Sequence, residues 1–568
     1  MELNLLIGGA AGQGMETVLH LLGKALVREG YLLISCTDYM SRVRGGHNFF
    51  TLRISGNTPL APAQQIDILV ALNEETYQIH RHKLTDRGKV LYDPEFFSLL
   101  ENDSRGVPIR MSTLARQAGN KVMSNTVAVG ALLVLLGLQP PVVEMLLREN
   151  FAARGEIAEQ NIAALHAGYR EAALFCQACF TLPPRRHDAE TKMLYLDGNQ
   201  LLGMAALASG CRFLSAYPMT PATGIMTYLA EKALHYDLVV EQAEDEIGAI
   251  NMAIGASYAG VRSMVSTSGG GFSLMVEGLS LCGMTETPLV LVVAMRPGPA
   301  TGLPTRTEQG DLDFVLYAGH GEFPRAVLSA TSMEDAFYRL NKAFELADRF
   351  QIPVIFLSDQ YFADTGRSLK PFDFSRLQYN RHLAKEEELQ RPYRRYRITT
   401  DGISPRVLPG QFAAALVMVD SDEHNEEGRI IEDAETRRRM MDKRMGKLQG
   451  LAAAMDEPEI YGDEDSEILL MGWGSTWGTL RESVDILNSC GLKTALLHFA
   501  DIWPLPRVRV NSLLPRAKKS FCVENNYSGQ FASLLRRETG LAPDHLVLKY
   551  DGRPFFPAEI VEEVLKHV

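Results

Sequence analysis

Seven consecutive apolar residues, Leu289–Met295, form the segment that most restricts the fold of this chain. The segment does not alternate between apolar and polar side chains, so a strand formed here must be covered on both faces. Strands of that kind occur in parallel sheets that carry helices on both sides. Similar runs recur at residues 353–358 and 468–471. We therefore predict an α/β chain built from several doubly wound parallel-sheet domains.

The length of 568 residues is enough for about three to five domains. A proline pair, Pro183 and Pro184, marks the end of the first block, and a stretch rich in charged residues separates the two later blocks. We predict α/β domains at residues 1–182, 190–375 and 463–568, and a charged connector with one helix at residues 376–462.

Charge and hydropathy exclude several classes of protein. Lys+Arg 57 against Asp+Glu 69 gives a net charge of −12, which is unfavourable for binding nucleic acid because phosphates need a concentrated positive face. The longest apolar run, residues 127–138, is too short to span a membrane. The first residues lack the basic stretch and cleavage site of a secretory signal. These features predict a cytoplasmic protein that binds neither nucleic acid nor membrane.

The seven cysteines are odd in number and few for the length, which is typical of reduced thiols. Cys176 and Cys179 have the spacing of metal ligands, but no second pair accompanies them. We therefore expect no metal site, and we place both cysteines on a helix that also carries Ala172.

A glycine-rich turn, residues 8–14, follows the first predicted strand and opens a helix. Such a turn can hold phosphates at the helix N-terminus. In a dinucleotide fingerprint begun at Gly12 and Gly14, the third glycine would stand where the chain has Thr17. A nucleotide-dependent dehydrogenase stays a weak alternative for this reason. The strands expected in the parallel sheet of this domain are residues 3–7, 31–36, 68–72 and 89–92.

In the second domain, distinctive residues follow the predicted strands. Residues 217–221 contain two prolines, which fix this segment as a loop. Glu246 begins a helical pattern, and three glycines, residues 269–271, follow another strand. Loops after parallel strands are where such sheets bind ligands.

These motifs resemble those of the 2-oxoacid:ferredoxin oxidoreductases. Residues 217–223 read Tyr-Pro-Met-Thr-Pro-Ala-Thr, where the pyrimidine-binding domain of the family has Tyr-Pro-Ile-Thr-Pro-Ser-Ser. The first domain resembles the gamma subunit, here fused in front of alpha, and the last domain resembles the transketolase C-terminal domain. The other segments that carry the resemblance are residues 9–14, 44–46, 246–250, 267–272, 296–299, 301–307, 422–428 and 524–530.

The resemblance implies an alpha subunit closest to the 2-oxoglutarate type. The implied reaction converts a 2-oxoacid, coenzyme A and oxidised ferredoxin to acyl-CoA, carbon dioxide and reduced ferredoxin, or runs in reverse. Decarboxylation needs an electron sink, which thiamine diphosphate supplies.

Glu246 is the residue that the resemblance places against the aminopyrimidine of thiamine diphosphate. A desolvated acid suits this role because burial raises its pKa and lets it share a proton. Glu244 is the second candidate for this role. The alternative explanation for Glu246 is structural: an acid at the N-terminus of a helix is stabilised by the helix dipole.

The resemblance also implies a substrate site. Thr220 and Arg296 would bind the carboxylate common to 2-oxoacids, with Tyr217 in the same loop. Arginine offers a bidentate fork to a carboxylate. Arg306 would hold the same carboxylate or a second one, and a surface ion pair is the alternative for it.

Gly12, Gly14 and Arg44 are our candidates for binding coenzyme A. The gamma domain of the family lies near the coenzyme A channel, and the phosphates of coenzyme A suit a glycine-rich helix terminus.

The sequence contains no Gly-Asp-Gly, the motif that holds the diphosphate through a metal in the resembling enzymes, and no ferredoxin-type run of four cysteines. We therefore predict no metal site in this chain and an obligate beta subunit that carries Mg²⁺ and a [4Fe-4S] cluster, in an (αβ)₂ heterotetramer. Other interpretations stay open: a noncatalytic assembly subunit that binds coenzyme A or a nucleotide, and specificity for pyruvate or a branched 2-oxoacid.

Overall fold

A computed structural model describes residues 2–41, 45–187 and 191–568. The chain divides into two compact units, one of Met1–Asp197 with Asp364–Pro371 and one of Gly198–Ala363 with Phe372–Val568. Among the described residues, none of the helices combines the length and apolar character that a membrane span requires.

The strands of the described residues are β1 (Glu2–Ala11), β2 (Leu32–Asp38), β3 (Gly45–Ser55), β4 (Ile66–Ala71), β5 (Leu84–Tyr92), β6 (Gly106–Pro108), β7 (Leu194–Asp197), β8 (Phe213–Ala216), β9 (Val239–Gln242), β10 (Ser263–Thr267), β11 (Leu289–Met295), β12 (Ala326–Ser329), β13 (Pro353–Asp359), β14 (Gly366–Leu369), β15 (Glu459–Tyr461), β16 (Ile468–Trp473), β17 (Thr494–Phe499), β18 (Asp501–Trp503), β19 (Lys519–Glu524) and β20 (His545–Leu548).

The α-helices of the same residues are α1 (Met15–Arg28), α2 (Glu74–His80), α3 (Met111–Ala118), α4 (Ser124–Leu135), α5 (Pro141–Asn150), α6 (Gly155–Ala172), α7 (Gly198–Ala208), α8 (Thr223–Lys232), α9 (Glu246–Tyr258), α10 (Gly269–Met284), α11 (Leu312–Tyr317), α12 (Met333–Phe350), α13 (Gln360–Asp364), α14 (Ala434–Ala453), α15 (Trp477–Ser489), α16 (Val508–Leu513), α17 (Gln530–Thr539) and α18 (Pro557–Leu565).

The first unit contains an eight-stranded mixed sheet in the order β6-β5-β4-β1-β3-β2-β14-β7. The strands β4 and β5 run parallel to β1, as the sequence predicts, and β6, which it does not predict, continues the parallel part of the sheet. The strand β3 lies antiparallel between β1 and β2, which corrects the prediction of an all-parallel sheet. The missed signal is the alternation of β3, in which Phe50, Leu52 and Ile54 are buried on one face.

The apolar run at residues 127–138 forms most of α4, which is buried almost entirely in the core of this unit. The helix α6 packs closely on α4 through two glycines. A Cβ at Gly130 would lie 2.0 Å from the carbonyl oxygen of Leu165, and a Cβ at Gly168 would lie 2.0 Å from that of Val127. The apolar run therefore forms a helix at the centre of this unit, and a run of this length is long enough for such a core helix.

Two strands near the ends of the predicted second block belong to the first sheet. The strand β7, where the sequence predicts the start of the second domain, pairs with β14, and β14 pairs with β2. Tyr195 on β7 packs against Gly23 of α1 and donates to or accepts from Ser35 Oγ at 2.8 Å. The predicted boundaries at residues 182, 375 and 462 stay predictions, because contacts separate the chain into two units only.

Cys176 and Cys179 lie beyond the end of α6 at Ala172, where the chain turns with a positive φ at Ala178, and their sulfur atoms lie next to each other. The prediction of a helix is wrong for this pair, and the prediction of reduced thiols stays a prediction. Leu174 and Phe175, which follow the helix, are exposed.

The second unit contains two sheets that confirm the predicted α/β class. A seven-stranded sheet has the order β18-β12-β13-β11-β10-β8-β9, and only its edge strand β18 is antiparallel. Every residue of β11 and β13 is buried, as non-alternating strands require. A five-stranded sheet has the order β15-β17-β16-β19-β20, with β15 antiparallel.

One apolar core joins these two sheets. The connector between them carries the predicted charged helix, α14, whose Lys443 and Lys447 are buried beside Glu286 at N–O distances of 2.6 and 2.5 Å. Buried charges of this kind are paired because an unpaired one is very costly.

Candidate active site

The carboxyl ends of four neighbouring parallel strands form the candidate site. The strands β9, β8, β10 and β11 end at Gln242, Ala216, Thr267 and Met295 and lie side by side in that order. Because parallel strands end at the same edge of a sheet, the segments that follow them meet there. Those segments contain Thr220, Glu246, the three glycines and Arg296, so the fold brings the predicted residues to one edge.

Glu246 is the first residue of α9 and is 3% exposed. The capping role at this helix belongs to Asp245, whose side chain accepts a hydrogen bond from the Gly248 N–H at 2.7 Å. Within the described part of the chain, Glu246 Oε1 is buried without a hydrogen-bond partner. A buried acceptor without a partner is costly, so a ligand is the expected partner. Glu244, the second choice in the sequence, is exposed.

The turn into α10 has no side chain where Glu246 needs room. A Cβ at Gly271 would lie 2.5 Å from Glu246 Oε1 and 2.1 Å from Thr267 Oγ1. At the preceding position, the nearest atom to a Cβ added at Gly270 would be the Ala300 carbonyl oxygen at 3.8 Å. Position 271 therefore requires glycine, whereas a small side chain would fit at position 270.

Arg296 connects the loop after β11 with the loop after β8. Its Nη1 donates to the backbone carbonyl of Thr220 at 2.6 Å, which places the two predicted carboxylate-binding residues in contact. Burial lowers the pKa of Arg296, while Asp311 acts in the opposite direction. Tyr217, in the same loop as Thr220, is 41% exposed.

Asp311 is a site residue that the sequence analysis missed. It precedes α11, makes no side-chain cap hydrogen bond there, and packs against the start of α10. A Cβ at Gly269 would lie 2.3 Å from Asp311 Oδ2, an atom that has no hydrogen-bond partner among the described residues. Burial raises the pKa of Asp311 to about 6, and the Arg296 charge opposes that rise. The only sequence signal is an acid after Gly310 within a glycine-rich stretch, which is weak.

The segment that carries Asp311 is anchored to the C-terminal sheet. The Gln309 N–H donates to the Asn525 carbonyl at 2.6 Å, and the Asn525 N–H donates back to Gln309 Oε1 at 3.0 Å. Glu524 accepts hydrogen bonds from the N–H groups of Phe531 and Ala532 at the start of α17. The motif at residues 524–530 thus holds the segment before Asp311 in place.

Arg306 lies in the same long loop, and its Nη1 donates to the carbonyl of Thr305 at 3.1 Å. A Cβ at Gly552 would lie 3.1 Å from Arg306 Cβ, and the Thr307 N–H donates to the Gly552 carbonyl at 3.3 Å. The loop is therefore packed on the segment that follows β20.

The candidates for coenzyme A belong to the first unit. Gly12 and Gly14 have positive φ values of 87° and 74°, and Gly14 caps α1. A Cβ at Gly14 would lie 1.8 Å from Asn125 Nδ2, so no other residue fits there without rearrangement. Gln13 Oε1 accepts from the Ala10 N–H at 2.7 Å and closes the turn. Arg44 lies outside the described residues.

Comparison with known proteins identifies two matching families. Residues 204–443 match the family described as "Pyruvate flavodoxin/ferredoxin oxidoreductase, thiamine diP-bdg", and residues 4–171 match "Pyruvate ferredoxin/flavodoxin oxidoreductase".

Individual proteins resemble the whole chain. The 2-oxoacid:ferredoxin oxidoreductase subunit alpha of Sulfolobus sp is 34% identical, over 100% of this chain and 97% of that protein. The 2-oxoglutarate oxidoreductase subunit KorA of Mycobacterium tuberculosis is 31% identical, over 97% and 89%. A solved structure described as 2-oxoglutarate:ferredoxin oxidoreductase from Magnetococcus marinus, with 2-oxoglutarate, coenzyme A and succinyl-CoA bound, is 30% identical. Its TM-score is 0.92, with 100% of this chain and 99% of that chain covered.

Proposed function

This chain belongs to the 2-oxoacid:ferredoxin oxidoreductase family as an alpha subunit, and from that premise we propose that it serves the oxidative decarboxylation of 2-oxoglutarate. The reaction consumes the 2-oxoacid, coenzyme A and two oxidised ferredoxins and yields acyl-CoA, carbon dioxide, two reduced ferredoxins and a proton. The observation that supports 2-oxoglutarate is the similarity over the full length to a structure described with 2-oxoglutarate, coenzyme A and succinyl-CoA bound.

The residues of this chain fit the pyrimidine end of thiamine diphosphate, which supplies an electron sink for decarboxylation when it is bound. Glu246 Oε1 is buried, has no hydrogen-bond partner among the described residues, and packs against Gly271, where any side chain would overlap it. A carboxyl group in that state can hold or release a proton at a ring nitrogen. Glu246 is therefore our candidate for holding the aminopyrimidine.

The diphosphate end is assigned to a partner subunit. The residues that the structure describes contain no group of three or more His, Cys, Asp or Glu placed to hold a metal ion, and the sequence has no Gly-Asp-Gly. We propose that a beta subunit supplies Mg²⁺ and a [4Fe-4S] cluster that passes electrons to ferredoxin. The (αβ)₂ stoichiometry and the cytoplasmic location stay predictions.

Thr220 and Arg296 are our candidates for the carboxylate common to all 2-oxoacids. Their contact fixes the guanidinium of Arg296 at the carboxyl edge of the sheet. A guanidinium held in this way loses little freedom when it binds a carboxylate. Tyr217 would line the entrance because it is exposed in the same loop. Arg306 would meet the second carboxylate of 2-oxoglutarate.

We assign coenzyme A binding to the turn formed by Gly12 and Gly14, together with Arg44. The turn begins α1, a helix of 14 residues, and positive φ values at both glycines shape the backbone there. Backbone N–H groups at a helix N-terminus attract phosphate.

A broader 2-oxoacid specificity is the second candidate. The support for it is the Sulfolobus sp relative, which is named for 2-oxoacids in general. In that case pyruvate and branched 2-oxoacids would also be substrates.

The test is to produce the chain with the product of its adjacent gene and to measure viologen reduction that depends on coenzyme A. The panel should contain 2-oxoglutarate, pyruvate and a branched 2-oxoacid. We expect the highest kcat/KM with 2-oxoglutarate and no turnover from the isolated chain. Similar values across the panel would favour the broader specificity, and activity of the chain alone would refute the need for a partner.

A further inference from the structure

A cavity of about 380 Å³ lies in the charged connector. Its volume falls within the range of small-molecule sites, about 300–1,000 Å³. Among the described residues that line it, three are arginines, Arg391, Arg394 and Arg397, and one is an acid, Glu426. The chain as a whole has a net charge of −12, so this excess of positive charge runs against its composition.

Glu426 neutralises one of the three arginines. Its Oε2 accepts a hydrogen bond from Arg394 Nη1 at 2.9 Å, and its Oε1 accepts one from the Ile398 N–H at 2.9 Å. Its backbone carbonyl accepts a third bond from the Tyr396 N–H at 2.9 Å. Both carboxylate oxygens of Glu426 are therefore engaged, and this acid has no further oxygen to offer the other two arginines.

The guanidinium groups of Arg391 and Arg397 stay available to a ligand. Arg391 comes no closer than 3.7 Å to Glu386, and both side chains of that pair are more than half exposed. Exposed ion pairs of this kind contribute little. The side chain of Arg397 makes no hydrogen bond or ion pair within the part of the chain that the structure describes.

The wall that carries Arg394 and Arg397 is held from behind. The two residues between them, Arg395 and Tyr396, are buried. Arg395 Nη2 donates to the Glu286 carbonyl at 2.8 Å, and the Tyr396 hydroxyl donates to the Thr285 carbonyl at 3.2 Å. A wall fixed in this way loses little freedom when a ligand binds, which favours affinity.

The anchor points of this wall lie far from the candidate active site. Thr285 and Glu286 follow the C-terminal end of α10, whereas Glu246 packs against Gly271 at its start. The helix has 16 residues, so its two ends are separated by about 24 Å. A molecule bound in the cavity would therefore occupy a site other than that of the 2-oxoacid.

We propose that this cavity binds a small phosphorylated molecule through its phosphate group. A phosphate monoester carries about two negative charges at pH 7 and three acceptor oxygens, which match two available guanidinium groups. Arginine also suits phosphate because its planar fork can donate two parallel hydrogen bonds. Apolar side chains in the same lining, Leu389, Ile398 and Pro405, offer a surface for the organic part of the ester. This proposal does not depend on the proposed function.

The test is calorimetry on the full chain with AMP as the phosphate monoester. Adenosine is the same molecule without the phosphate, and succinate is a dianion that carries carboxylates instead. We expect saturable binding of AMP and weaker binding of both other probes. Arg397→Ala removes one of the available guanidinium groups, so the Kd for AMP should rise about 10- to 100-fold.

Arg429→Ala is the matched control. Arg429 lies in the same connector outside the cavity lining, is mostly exposed, and pairs with Glu427 at 3.3 Å. This variant loses the same charge as Arg397→Ala and should keep the wild-type Kd for AMP.

Several results would overturn the proposal. One is a wild-type chain that does not bind AMP saturably. Another is AMP binding that Arg397→Ala leaves unchanged, which would place the nucleotide elsewhere on the chain, or that Arg429→Ala weakens equally, which would indicate nonspecific attraction. Adenosine or succinate bound as tightly as AMP would refute recognition of a phosphate.

Discussion

Replacing Gly271 by alanine should disable the site without removing any functional side chain. The added Cβ would lie 2.5 Å from Glu246 Oε1 and 2.1 Å from Thr267 Oγ1, whereas ordinary contacts begin at 3.4 Å. Thr267 and Glu246 are both buried, so Glu246 and the start of α10 have to shift relative to each other by about 1 Å. A misplacement of about 1 Å at a reacting group costs on the order of 10²-fold in rate.

The neighbouring glycine provides a matched control. Gly270→Ala makes the same substitution in the same turn of α10, where the nearest atom would be 3.8 Å away. Both variants gain about 1 kcal/mol of helix propensity, but overpacking at Gly271 costs about 1–3 kcal/mol. We therefore expect a lower Tm for Gly271→Ala than for Gly270→Ala.

The assay is kcat for coenzyme A-dependent oxidation of 2-oxoglutarate by the complex with the partner subunit. We expect Gly270→Ala to retain activity and Gly271→Ala to lose about two orders of magnitude. If both variants are equally active, the argument that Glu246 is positioned by the absence of a Cβ at residue 271 is refuted.

Three further predictions concern the other assigned residues. Glu246→Gln keeps the shape of the side chain but cannot share a proton, so kcat should fall by about 10²–10⁴ while the complex still assembles. If this variant keeps more than half of the wild-type activity, Glu246 does not have this role and Glu244 should be tested next. Arg296→Lys loses the bidentate fork and should weaken the binding of all 2-oxoacids alike. Arg306→Ala should lower kcat/KM for 2-oxoglutarate more than for pyruvate, by about one to two decades. An equal loss of kcat/KM for both substrates would contradict a role of Arg306 in selectivity. Gly12→Val forces a β-branched residue to a φ of 87°, which should raise the KM for coenzyme A and leave decarboxylation unchanged; an unchanged KM would leave the turn a structural element.

Much of the second unit could be read from the sequence because its strands are short and continuously apolar. The bounds of β11 agree with the predicted apolar segment, and α14 lies in the connector where a charged helix is expected. Burial on both faces leaves a strong signal in composition, and prolines and glycines mark the loops after the strands. The resemblance to the family pointed to Thr220, Glu246 and Arg296, and each of them follows one of the strands of this sheet.

Pairing between distant segments could not be read in this way. Nothing local in residues 194–197 or 366–369 reveals that β7 and β14 pair with each other and extend the first sheet, because strand pairing depends on long-range packing. The insertion of β3 between β1 and β2 is of the same kind, since alternation predicts a strand but not its neighbours.

The sequence by itself determined the α/β class, the loops that carry the candidate residues and, through the family motifs, the chemistry. Only the tertiary structure showed that Glu246 and Asp311 each have a buried oxygen without a partner in the described residues, packed against Gly271 and Gly269. The physical reason is that burial and the loss of hydrogen-bond partners arise from segments far apart in the chain. Asp311 follows Gly269 by more than forty positions, and no local pattern records that they touch.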